Sequence, residues 1–150
     1  MKVRYVSLIL VAVMIVFGAN RAWAHCEIPC GIYDDQLRAD LIAEHLTTIE
    51  KSMQQITELS KENPVNNNQL VRWIFNKEKH AEEIQHIVSQ YFMTQRIKPE
   101  DKKYSEKLAV LHKMLISAMK CKQTTDVSHV NILRSLLKEF ETLYFGHSHR

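Results

Sequence analysis

The apolar residues of this chain recur at intervals of three and four over most of its length, and that period predicts helices. Leu37, Leu41, Leu46, Ile49, Met53 and Ile56 form one stripe, and the helix they imply runs to about Ser60. Asp34 is placed to cap its start, and Asp35 sits in the first turn, where a carboxylate meets the positive end of the helix dipole. Pro and Asn over residues 62–68 mark a turn. A second stripe follows in Leu70, Ile74, Ala81, Ile84, Val88 and Tyr91, and its helix should end before Pro99. Pro99 suits the first turn of a third helix, burying Tyr104, Leu108, Leu111, Leu115 and Ala118. Residues 123–126 interrupt it, and Asp126 can cap a fourth helix carrying Val130, Leu133, Leu137, Phe140 and Tyr144. No strand pattern and no repeat occurs. Four amphipathic helices with short connections predict an all-α protein, an antiparallel four-helix bundle over residues 35–146.

The first 24 residues follow a different rule. Lys2 and Arg4 precede an apolar run from Val6 to Ala19, and Ala22-Trp23-Ala24 fits a small-x-small cleavage site. This predicts a cleaved signal peptide over 1–24; the run is shorter than the roughly 20 residues a spanning helix needs. The expected destination is the periplasm or the medium, with no membrane association after cleavage. Loss of Lys2, Arg4 and Arg21 leaves 17 of the 20 basic residues against 17 acidic ones. A balanced mature chain gives no argument for nucleic acid as a partner.

Cleavage after Ala24 would make residues 25–150 the mature domain and His25 its first residue. Residues 25–34, His-Cys-Glu-Ile-Pro-Cys-Gly-Ile-Tyr-Asp, then form an irregular metal-binding hook ahead of the bundle. A free α-amine has a reference pKa near 8, low enough for a metal to displace its proton. Cys26 and Cys30 offer two thiolates, and the Cys26 amide nitrogen lies between amine and first sulfur. Two nitrogens and two sulfurs in a plane suit Ni(II) or Cu(II) better than tetrahedral Zn(II). The His25 imidazole is left to reach an axial position. Pro29 and Gly31 restrict and then release the backbone on either side of Cys30.

Other readings of the same residues are available. Cys26 and Cys30 could close a small structural disulfide loop, the default for an exported chain. The donors could also serve an exported nickel- or copper-binding protein without turnover. Glu83 and His86 have the spacing of a bundle-core metal motif, but the pattern does not recur, and a surface position is the simpler expectation. His45, His80, His112 and His129 are likewise expected at the surface or its boundary, His147 and His149 in a tail, and Cys121 as a spare thiol at a helix end.

The hook motif resembles that of nickel superoxide dismutases, matching at His25, Cys26, Pro29, Cys30, Gly31, Tyr33 and Asp34. Arg72, the run Asn76 to Glu82, the pair Tyr91-Phe92 and the stretch Tyr104 to His112 are similar to the same family. The resemblance implies one nickel ion per subunit, cycling between Ni(II) and Ni(III) and converting two superoxide anions and two protons to dioxygen and hydrogen peroxide. It implies His25, Cys26 and Cys30 as ligands, Tyr33 beside the open face, a cis Ile28–Pro29 bond and a homohexamer. Departures fall outside the ligands: Glu27 stands where aspartate is common, and Met93 where lysine often follows Tyr-Phe. The acidic partner of the imidazole has Asp40 as its nearest counterpart, and Arg72 matches the basic one.

Overall fold

The computed structural model describes residues 32–146, and among them it contains four α-helices and no strand. Helix α1 spans Asp35–Leu59, α2 spans Asn67–His86, α3 spans Tyr104–Gln123 and α4 spans Ser128–Phe145. Each helix packs chiefly on the next in sequence, and α4 closes the ring against α1. Short connections and this neighbour order give the expected antiparallel bundle. None of the described helices is long and apolar enough to cross a membrane.

The core shows why the sequence folds this way. Ala39, Ile42, Leu46, Ile49, Met53 and Ile56 are buried on α1, Ala81, Ile84 and Val88 follow on the second hairpin arm, and Leu111, Met114, Ala118 and Cys121 lie on α3. Val130, Leu133, Leu137 and Phe140 complete the ring from α4. These positions alternate steps of three and four, the seam that shallow helix crossing requires. Phe92 is the hub of an aromatic group, with Tyr91, Phe140 and Tyr144 rings 4.8–5.6 Å from its own. Arg134 adds a 2.9 Å ion pair to Glu50 across α4 and α1.

Several expectations need correction. The second helix does not continue as an α-helix through Tyr91: at Ile87 it widens into a ten-residue π-helical segment, Ile87–Arg96. Its i→i−5 bonds include Ile97 N–H to Phe92 O at 2.9 Å. The side chains of Thr94 and Gln95 donate to the carbonyls of Ser89 and Gln90, five residues back in each case. Pro99 does not start α3. The Asp101 carboxylate accepts from Lys98 N–H and the Lys98 carbonyl accepts from Asp101 N–H, closing a turn that competes with helix. Lys103 then takes a left-handed φ of 59° before the helix begins at Tyr104. The third stripe holds only in part: Leu111 and Ala118 are buried as expected, joined by Val110, Met114 and Cys121, whereas Tyr104, Leu108 and Leu115 lie at the core's edge. Leu37 and Ile74, 48% and 40% exposed, fall outside the core as well.

The caps follow the sequence closely. Asp34 accepts from Leu37 N–H at 3.0 Å. Asp126 accepts from Ser128 N–H at 2.9 Å, one residue before the cap position itself. Gly146 ends α4 at φ 83°, a conformation costly for any residue with a Cβ. At the end of α3 the buried Lys77 ammonium crosses from α2 and donates to the carbonyls of Cys121 and Lys122, so a side chain from the neighbouring helix satisfies the terminal acceptors.

Candidate metal centre

His25, Cys26 and Cys30, with the expected cis Ile28–Pro29 bond, lie outside the described residues; so do His147 and His149. Tyr33 is described and is 41% exposed. From Tyr33 the chain passes through Asp34, whose carboxylate caps α1, directly into Asp35.

Asp35 is the most heavily bonded side chain in this part of the molecule. Oδ1 accepts from the Tyr91 hydroxyl at 2.6 Å and from Arg96 Nε at 2.8 Å. Oδ2 accepts from Arg96 Nη2 at 2.8 Å and from the Tyr144 hydroxyl at 2.7 Å. The Arg96 pair is the planar bidentate form, among the stronger ion-pair geometries. Burial works against the Asp35 charge, but the hydrogen bonds from Arg96, Tyr91 and Tyr144 outweigh it and hold the carboxyl below its ordinary value. Burial, reinforced by the adjacent carboxylate, drives the Tyr144 phenol up to about 12 and raises Tyr91 further. Arg38 places its guanidinium 5.1 Å from the Tyr91 ring centroid.

The sequence flagged Asp35 only as a charge in the first turn of a helix. Tyr91 it flagged as part of a Tyr-Phe pair, Tyr144 as a core position, and Arg96 not at all. Long-range convergence on one carboxylate leaves no local pattern to read.

The remaining histidines divide. His112 and His86 are exposed, as expected. His45 and His80 lie at the boundary, as expected, but they also meet each other across α1 and α2, Nδ1 to Nδ1 at 2.8 Å, partly buried. An N–H of one ring donates to the other, so at least one ring is neutral. Asp40 is exposed and accepts from Gln36, and Arg72 is exposed beside Trp73. Cys121 is a free thiol buried in the core, its pKa pushed up to about 11 by burial.

Among the described residues no three His, Cys, Asp or Glu side chains gather closely enough to hold a metal. The donor set between His25 and Cys30 does fit one chemically. Two thiolates with amine and amide nitrogens form the strong-field, tetragonal environment that nickel accepts.

A family model described as nickel-containing superoxide dismutase matches residues 20–148. The chain belongs to that family. Searches among curated proteins and among solved structures gave no match. This nickel superoxide dismutase is therefore an oxidoreductase that uses nickel as its cofactor and superoxide as its substrate. The matched segment includes both the hook motif and all four helices of the bundle.

Proposed function

We propose that the dismutase acts through its own first residues after removal of the signal peptide at Ala24. The α-amine and imidazole of His25, the amide nitrogen and sulfur of Cys26 and the sulfur of Cys30 hold the ion. Nickel in that ligand set supplies a one-electron couple that can oxidise one superoxide and reduce the next. Thiolates and an ionised amide are strong donors, and the chain uses them to lower a potential that hydrated nickel would leave too high. Tyr33, three residues beyond Cys30, orders substrate or water at the open face. The reading further places the mature protein in the periplasm or the medium and assembles it as a homohexamer.

The observation that carries this reading is a single family match running from before His25 through α4, so that the hook motif and the bundle fall within one matched segment. The extent of the match agrees with a bundle that begins at Asp35, immediately after the hook motif ends.

The test is one added alanine. A chain processed to Ala-His25 keeps every side chain but moves the free amine one residue from the imidazole and thiolates. We expect superoxide turnover to fall at least a hundredfold while far-UV circular dichroism stays that of the wild type. Full turnover would remove the α-amine from the site. Light scattering of the processed protein tests the assembly: six chains are expected, and a monomer would refute the hexamer.

A further inference from the structure

We propose that His45 and His80, facing each other across α1 and α2, form a metal site of their own, one that takes a divalent transition ion of right-angled coordination, copper(II) before others. The inference is independent of the reading of residues 25–34. The two Nδ1 atoms stand 2.8 Å apart, with ring centroids 4.9 Å apart and planes inclined at 63°. One shared proton joins the rings in that arrangement. Neutral imidazole nitrogens are also the commonest metal ligands, and an ion can take the proton's place.

The spacing decides which ion. A metal–imidazole bond is about 2.0–2.1 Å long. Two nitrogens 2.8 Å apart then subtend about 85–90° at an ion lying about 1.5 Å to one side of the line between them. That is the cis angle of a square-planar or tetragonal ion. A tetrahedral ion needs the nitrogens about 3.3–3.4 Å apart, so zinc would have to spread the helices or turn the rings. Copper(II) and nickel(II) accept right-angled nitrogen donors, and the general order of affinities puts copper(II) first. Among the described residues no third His, Cys, Asp or Glu joins the pair, so water fills the remaining positions. Both rings are partly exposed, which gives water access.

Leu46 beside His45 and Ala81 beside His80 are fully buried, as are Ile42, Ile49 and Ile84 one turn away. Both rings therefore rise from helical backbone that the core holds in place, and donors on such elements keep their geometry. Neither Nε2 has a hydrogen-bond partner among the described residues. When an ion takes both Nδ1 lone pairs, the ring protonated at Nδ1 carries its proton on Nε2 instead, and a neutral pair binds with no net release of protons. Burial favours the neutral form of both rings. The charges facing the pair are Glu44, Glu83 and Lys79. The two carboxylates draw a cation toward both rings, and Lys79 opposes it at His80.

Equilibrium dialysis of the processed, nickel-loaded protein against copper(II) tests the site, with nickel content read alongside. One copper per chain beyond the nickel is expected, and its electron spin-echo modulation should show two imidazoles. His80→Gln should weaken copper binding at least tenfold. His112→Gln, which removes an exposed histidine of α3, should leave it unchanged. Because the ion joins α1 to α2 in the folded chain only, copper should raise the urea midpoint of the wild type and not that of His80→Gln. Should His80→Gln fail to fold, His45→Gln gives the same reading from the other helix. Equal copper affinity in the folded histidine variant and the wild type would overturn the proposal. So would modulation from fewer than two imidazoles, or copper taken up only as nickel is lost.

Discussion

The histidine pair and the Tyr144 phenol make opposite demands on pH. His45 and His80 share a hydrogen bond that needs a neutral acceptor nitrogen. Burial lowers both pKa values below the ordinary 6.5; the partner His80 adds to this for His45, and Lys79 for His80, while Glu83 and Glu44 pull upward. Groups whose folded pKa is lowered bind protons more readily when unfolded, so the stability they contribute is present above pH 6.5 and is lost as pH falls through the folded values. Urea midpoints should therefore fall between pH 7 and pH 5, and His80→Gln should reduce that fall; an equal fall in the variant would exonerate the pair. Tyr144 runs the other way. With its phenol raised from 10.0 to about 12, its contribution is complete below pH 10 and is lost as pH rises toward 12. Tyr144→Phe should flatten the alkaline limb of the stability curve over that window. Cys121 supplies a third check. A buried thiol at about 11 carries little thiolate at neutral pH, so native protein should resist alkylation there and unfolded protein should not.

At the scale of elements, the stripes on α1 and α4 were legible because every third or fourth residue is apolar and polar residues mark their starts: Asp34 caps α1, and Asp126 bonds Ser128 N–H from one residue before the cap of α4. The stripe on α3 was legible only in part. Its seam keeps the expected Leu111 and Ala118 and adds Val110, Met114 and Cys121, while Leu108 and Leu115 are equally apolar and lie at the edge of the core. Apolar residues on both sides of a seam leave its centre to be decided by packing. The π segment was not legible for another reason: its pattern depends on carbonyls meeting donors five residues on, and on Asp35 far away in sequence. Phe92 lies fully buried within it and touches three other aromatic rings. Phe92→Ala should cost about 3–5 kcal/mol in chemical denaturation, the usual range for removing a core phenylalanine. A loss below about 1 kcal/mol would mean that the segment repacks and is not a fixed part of the core.

For the whole molecule, the sequence pointed to two parts with separate physics, and both bear on function. The bundle was readable from periodicity alone, whereas the expectation of nickel came from residue identity and position at residues 25–34, where no period exists. The buried core among the described residues runs from Ala39 to Phe140 and needs no metal ligand to close. Removing nickel should therefore leave far-UV circular dichroism unchanged while abolishing turnover; collapse of the helical signal would show that the ion holds the fold as well as the reaction. The central claim is that thiolates of Cys26 and Cys30 and nitrogens at His25 surround a catalytic nickel. Nickel K-edge X-ray absorption on the processed, active protein measures that shell directly. Two sulfurs with two or three nitrogens are predicted, and a shell of oxygen and nitrogen without sulfur would contradict the account.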